Sequence, residues 1–231
     1  HRTELARQMN NTTYRLCNAL GVHLDMAGDL VAAKLYYDRA LAIGKGTSVN
    51  SLRNLGALLQ RMGELVESKR YYERALTVCE NMLEELHPDT ATSLNDLGRL
   101  MHETGELKSA KRYYERALAI REEVLGKTDP DTVTSLSNLG VLLHEMGELP
   151  EARMCLERAL TIHKEVLEEN HLDTALIVND IGRLLRALGE LSDARKYLER
   201  ALAIREEALG ETHPDTILIL NKLGSCLLYT S

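Results

Sequence analysis

HPDTATSLNDLGRLMHETGELKSAKRYYERALAIREEVLGKT, residues 87–128, is one copy of a unit that recurs along the chain. Its first half places Leu94, Leu97, Leu100 and Met101 at helical spacing. Gly105 interrupts that pattern, and the second half resumes it with Ala110, Tyr114, Ala117, Leu118, Val124 and Leu125. No segment alternates as a half-buried strand would. One unit is therefore two antiparallel helices joined by a tight corner. Gly56, Gly98, Gly140, Gly182 and Gly224 set a period of 42 residues, and Gly21 precedes the series by 35. Self-similarity of this kind marks a repeat array, in which each unit buries its apolar face against its neighbours. The expected fold is all-α: a right-handed superhelical solenoid of antiparallel helix pairs. Five pairs plus the start of a sixth would form a single array over residues 1–225.

A second glycine follows each repeat glycine by seven residues, at Gly28, Gly63, Gly105, Gly147 and Gly189, and is itself followed by an acid and a Leu. His87-Pro88-Asp89-Thr90, Asp129-Pro130-Asp131-Thr132 and His213-Pro214-Asp215-Thr216 open successive units. Proline in a first turn, with an acid at the positive end of the helix dipole, is a start signal. Gly126 and Gly210 are placed to cap second helices. Small residues flank one large one in every second helix: Ala33, Ser68, Ala110, Ala152 and Ala194 before it, Ala40, Ala75, Ala117, Ala159 and Ala201 after it. The large one is Tyr37, Tyr72, Tyr114, Leu156 or Leu198. Glycine inside a helix costs about 1 kcal/mol against alanine. Its recurrence predicts a close helix–helix contact joining Gly98, Ala110, Tyr114 and Ala117, and the same in each unit.

Composition narrows the function. Net charge is −7, from 28 basic and 35 acidic residues interspersed along the chain. Without a basic stripe, nucleic-acid binding is not expected. No apolar run approaches the ~18 residues of a membrane helix, and no signal-peptide pattern is present, so a cytoplasmic, membrane-free protein is expected. Cys17, Cys79, Cys155 and Cys226 form no CxxC and read as separate reduced thiols. His102-Glu103 and His144-Glu145 begin like HExxH but lack its second histidine. His87 and His213 read as helix-start residues. No phosphate loop or nucleophile elbow is present. No catalytic residue, metal, cofactor or small-molecule substrate is indicated.

The order Leu-Gly, turn Gly, Ala, aromatic or Leu, Ala resembles the tetratricopeptide repeat, whose usual unit has ~34 residues. Here the second helix carries roughly two more turns, Ile-Arg-Glu-Glu-Val-Leu-Gly at 120–126, before the His-Pro-Asp-Thr linker. That long form resembles the repeats of kinesin light chains, over about residues 10–225. There are two departures. The tryptophan common early in the first helix is replaced by Leu52, Leu94, Leu136, Val178 and Leu220, and unit 1 ends early at Gly44-Lys45-Gly46. The resemblance implies a non-catalytic protein–protein interaction scaffold. First helices would line a concave groove that receives a peptide or a partner helix. The alternative it leaves open is a sensor arm of a larger signalling protein, whose nucleotide-driven switch or protease domain lies outside this segment.

In such a groove the stripe three before, one after and four after each repeat glycine shares one helix face. It reads Asn18, Val22, Asp25; Arg53, Ala57, Gln60; Asn95, Arg99, His102; Ser137, Val141, His144; and Asn179, Arg183, Arg186. The candidate peptide-binding residues are Asn18, Arg53, Asn95, Arg99, His102, His144, Asn179, Arg183 and Arg186. Their amides suit a peptide backbone, and their guanidinium groups suit the carboxylates of an acidic segment. Ion pairing within one helix competes with this reading: Arg99 with Asp96 and Glu103, Arg183 with Asp180. Arg186 has the fewest acids near it in sequence. Charging of His102 and His144 is expected to strengthen acidic-ligand binding below pH ~6.5. The Lys-Arg-Tyr-Tyr-Glu-Arg runs from Lys69 and Lys111 read as solvated second-helix faces.

The chain closes on Cys-Leu-Leu-Tyr-Thr-Ser, where Cys226 replaces the Leu found at Leu58, Leu100, Leu142 and Leu184. TGT-CTC-TTA-TAC-ACA-TCT, the mosaic end of a transposase sequencing adapter, encodes that peptide. Residues 226–231 are therefore read as translated adapter. With no initiating Met either, the chain is expected to be an interior fragment that continues naturally past Ser225.

Overall fold

The computed structural model describes residues 2–82, 86–166 and 171–228. Among them are eleven helices and no strand. They are α1 (Arg2–Met26), α2 (Leu30–Ile43), α3 (Val49–Arg61), α4 (Leu65–Met82), α5 (Pro88–Glu103) and α6 (Leu107–Val124), then α7 (Pro130–Glu145), α8 (Leu149–Val166), α9 (Leu172–Ala187), α10 (Leu191–Leu209) and α11 (Pro214–Leu228). They form two compact units, His1–Ile120 and Arg121–Ser231, with the division inside α6. In the first unit α1 packs on α2 and α3 on α4; in the second α7 packs on α8 and α9 on α10. α11 packs on α10. The side chain of Cys226, and residues 229–231 entirely, lie outside the described residues.

The corners repeat one hydrogen-bonded motif. Gly105 takes φ 79° just past the end of α5. Its N–H donates to the carbonyl of His102 at 3.0 Å, and the next N–H, of Glu106, reaches back to Met101 at 2.8 Å. This pair of bonds satisfies carbonyls that a helix end leaves open. Glu64, Glu148 and Glu190 make the same return bond to Leu59, Leu143 and Leu185. A left-handed φ favours glycine, so these corners explain the second glycine of each unit.

The repeat glycines have a different reason. A Cβ on Gly98 would lie 2.6 Å from Cδ1 of Tyr114, and one on Gly56 would lie 2.8 Å from the Tyr72 ring. At Gly140 and Gly182 the obstruction is Leu156 Cγ at 2.7 Å and Leu198 Cδ2 at 2.9 Å. Ala110, Tyr114 and Ala117 are fully buried around that contact, as their spacing predicted. Ser68 replaces alanine without leaving a loose polar group, because its hydroxyl donates to the Gly56 carbonyl at 2.8 Å. Nothing comes within 4 Å of a Cβ built on Gly224.

Linker histidines act as caps. Nδ1 of His87, His171 and His213 accepts the N–H of Asp89, Asp173 and Asp215 at 3.1, 3.2 and 3.2 Å, and a carboxylate oxygen of Asp129 accepts that of Asp131 at 2.9 Å. One such acceptor is worth about 1 kcal/mol at a helix start. Thr132 and Thr216 donate to the carbonyls of the capping glycines Gly126 and Gly210. In unit 1 α2 has 14 residues where α4, α6 and α8 have 18. The Gly44–Gly46 turn that ends it is held by Arg74, whose Nη2 donates to the Gly46 carbonyl at 2.7 Å.

One buried position carries three chemistries over four copies at 42-residue intervals: Cys79, Arg121, His163 and Arg205. It joins each long second helix to the start of the next pair. The Cys79 thiol meets the Ser93 hydroxyl at 3.6 Å. Nη1 of Arg121 donates to the Asp131 carbonyl and to the Ser135 hydroxyl, both at 2.8 Å. Arg205 pairs with Asp215 at 3.2 Å. Arg121 takes the inward place in the last turn of α6, and Val124, expected in the core from its spacing, is 40% exposed.

A candidate peptide-binding groove

In the first unit the stripe is knitted together by rungs between successive first helices. Asn18 Oδ1 accepts from Asn54 Nδ2 at 3.4 Å and from the Ser51 hydroxyl at 3.1 Å. Nε of Arg53 donates to Asp96 at 2.7 Å. In both rungs the residue three before a repeat glycine meets the residue two before the next. Gln60 donates to Glu103, and Arg61 pairs with Asp25. Arg53 is thus committed to the following repeat, and Glu103 is held by Gln60 rather than standing as the partner expected for Arg99. Arg99 is half-exposed; its Nη2 donates to the Tyr72 hydroxyl at 3.3 Å and lies 3.9 Å from Asp96. Asn95 and His102 are partly buried on the same face. The Tyr72 hydroxyl also donates to Gln60 at 3.2 Å. Burial, with the nearby Asp96 carboxylate, pushes this phenol up to about 12.

The second unit differs. Asn179, a candidate peptide-binding residue, is only 7% exposed. It accepts from Lys222 at 3.1 Å, forming the same kind of rung, and donates to Asp180 at 3.2 Å. Arg183 lies 3.4 Å from Asp180, the within-helix pair read from the sequence. Asp180 is held above the usual carboxylate range by burial, a push opposed by Arg183 and Lys222. Lys222 is held below the usual lysine range by burial and by Arg183, Asp180 opposing. His144 is pushed down by burial, then by Arg183 and, more weakly, Arg186. Arg186 itself is exposed and has no hydrogen bond or ion pair among the described residues. Arg183 and Lys222 therefore both act on the partly buried Asp180 carboxylate, and Arg183 and Arg186 both act on His144. The charge expected on His144 below pH ~6.5 is displaced to lower pH by its surroundings.

Towards the first turns of the same two helices the face opens into a cavity of about 460 Å³. Pro130, Val133, Thr134 and Ser137 line it from α7, Leu176, Ile177, Asp173 and Asp180 from α9, and His163 from the end of α8. The second-helix runs bury Tyr72 and Tyr114, and the charged residues along these helices are not simply solvated. Lys69 pairs with Glu106 at 3.4 Å, Arg116 with Glu80 at 2.8 Å, and Arg158 with Glu122 at 2.6 Å. Sequence reading missed the rung partners Asp96 and Lys222. It also missed Asp173 and His163. The signal available for His163 was its register with Cys79, Arg121 and Arg205. Among the described residues, no group of three His, Cys, Asp or Glu is placed to hold a metal ion, and no helix is long and apolar enough to cross a membrane.

Two helices per period, a glycine corner and a repeat glycine packed under a tyrosine or leucine define a helical-repeat protein. The tetratricopeptide repeat model matches residues 47–123, 131–207 and 179–231, and the chain belongs to that family. Its long repeats are similar in fold to those of kinesin light chain-type proteins. The fold is similar to that of BtubC (BKLC) from P. vanneervenii, at 24% identity and a TM-score of 0.78, over 92% of this chain and 88% of that one. It is similar to a kinesin light chain-type protein of Podosopora anserina with nearly identical TPR-like repeats, at 22% identity and a TM-score of 0.70, over 84% and 96%. It is also similar to pilF of Pseudomonas aeruginosa, at 19% identity and a TM-score of 0.69, over 94% and 86%. No curated protein matches the chain. Tetratricopeptide repeats generally mediate binding to proteins or peptides, on a fold that is generally a non-catalytic scaffold.

Proposed function

We propose that this chain is a protein-interaction scaffold that holds a peptide or a partner's helix against the first helices of its repeats. In the second unit, acidic side chains of that ligand engage Arg183 and Arg186. The observation that carries this reading is Arg186, an exposed cation with no partner among the described residues, beside Arg183 and Lys222. In a chain of net charge −7, an exposed arginine without a partner among the described residues, beside two further cations that share Asp180, calls for an anionic partner. A guanidinium group offers that partner a two-pronged hydrogen bond.

The test is capture of peptides from an array of acidic and basic sequences, by the native chain and by an Arg183→Glu/Arg186→Glu double variant. The native chain is expected to prefer peptides bearing acids and to lose them as salt rises, since exposed charges are screened over ~8 Å at physiological ionic strength. The double variant is expected to lose that preference. Equal capture by both proteins would reduce these arginines to a solvated helix face.

A further inference from the structure

The α7–α9 face carries opposite charge at its two ends. At one end the cavity is walled by Asp173, whose exposed carboxylate has, among the described residues, only a 3.4 Å approach from His171 Nδ1. Asp180 stands on the wall of the same cavity. At the other end are Arg183 and the unpaired Arg186. Between them lies apolar surface, Val133 and Ile177 buried and Leu176 half-exposed. His163 is 8% exposed in the cavity wall, and its Nδ1 has no hydrogen-bond partner. Native proteins rarely leave such a group unmet in a finished core, and a cavity that keeps one suits an occupant.

We propose that this valley takes a short peptide of dipolar sequence: an apolar side chain in the cavity, a lysine or arginine beside Asp173, and an aspartate or glutamate beside Arg186. This deepens the peptide-groove reading and rests on it. From Asp173 to Arg186 is about 20 Å along α9 at 1.5 Å per residue. That is the reach of roughly six extended residues, so one short segment spans both ends. A uniformly acidic segment would satisfy Arg186 while setting like charge against Asp173. A uniformly basic one fails at the other end. Such mismatches discriminate between partners more strongly than the matched contacts attract them.

The test uses four labelled peptides of about eight residues with the same Leu-Leu centre. One has two lysines at its start and two glutamates at its end, and the second is its reverse. The third carries glutamates at both ends, the fourth lysines at both ends. Fluorescence anisotropy with the full chain is expected to rank the better dipolar peptide about tenfold above both uniform ones. Asp173→Lys should move the preference to the acidic peptide, and Arg186→Glu to the basic one. Asp173 sits in a first helical turn, so Asp173→Asn serves as the milder variant, and circular dichroism melts establish that each variant folds. An acidic peptide that equals or beats the dipolar pair on the native chain overturns the dipolar assignment and leaves the groove reading standing. If none of the four binds, both fall.

Discussion

Repeats in the two units share a backbone but differ at one packing residue, and that residue shapes the face above it. In the first unit the ring over the repeat glycine is Tyr37, Tyr72 or Tyr114; in the second it is Leu156 or Leu198. Tyrosine buries its ring and carries a hydroxyl out to the first-helix stripe, where the Tyr72 oxygen ties together Gln60 and Arg99. Leucine fills the same space and offers no such group. His144 and Arg186, at the position Gln60 holds in its own repeat, have no tyrosine hydroxyl to meet. The apolar choice underneath thus leaves Arg186 without a partner among the described residues, while Gln60 and Arg99 of the first unit share the Tyr72 hydroxyl.

The packing half of this contrast can be broken directly. Gly98→Leu should cost about 1–3 kcal/mol or more in a urea melt, because the new side chain meets a ring already 2.6 Å from its Cβ position. A sharper form compares Gly98→Ala with Gly182→Ala. Both gain about 1 kcal/mol of helix propensity. Only the second faces a methyl group on a leucine that can turn aside, so Gly98→Ala should be the more damaging. Equal midpoints for the pair would mean that tyrosine and leucine pack alike.

The hydroxyl half is smaller. Tyr72→Phe keeps the ring and deletes the oxygen that Gln60 and Arg99 share. The expected loss is about 0.5–1.5 kcal/mol, the net worth of an ordinary hydrogen bond. Leu198→Ile, which also keeps an apolar filler, should leave the mobility of Arg186 unchanged, read by NMR at its Nε. Tyr72→Phe should free Arg99 in the same readout. An Arg99 that stays as ordered as before would separate the stripe from the packing residue beneath it.

The period and the glycines made the helix pairs legible, because both report backbone geometry that recurs in register. The left-handed φ at Gly105 and the crowding at Gly98 leave the same residue in each copy. The groove was harder to read. The pairing search ran along single helices, and so it found Arg183 with Asp180. The bond from Arg53 to Asp96 joins residues 43 apart, a spacing that becomes a contact only once repeats are stacked. The bond from Lys222 to Asn179 is hidden from single-helix spacing for the same reason: the two residues lie in successive repeats. The linker histidines were correctly placed at helix starts, while their capping through Nδ1 depended on ring orientation that no spacing encodes.

The smallest expected effect concerns pH and again separates the units. His144 and His163 both lie below the ordinary histidine value of 6.5, burial being the first cause in each. For His144 the Arg183 guanidinium adds to the push, with Glu145 opposing; for His163 the Asp173 carboxylate opposes it and His171 adds to it. A histidine depressed in the folded state takes its proton more readily when unfolded. The unfolded chain therefore binds more protons than the folded one once pH falls towards and below 6.5, and stability drops with falling pH in that window. Well above 6.5 both states are neutral and the term vanishes. Urea midpoints at about pH 7.5 and pH 5 should therefore differ by less in His144→Gln and in His163→Gln than in the native chain. Each variant is compared with itself across pH, so any constant cost of the substitution cancels. If both variants lose as much stability on acidification as the native chain does, the acid sensitivity lies elsewhere, and these two rings are not what distinguishes the second unit.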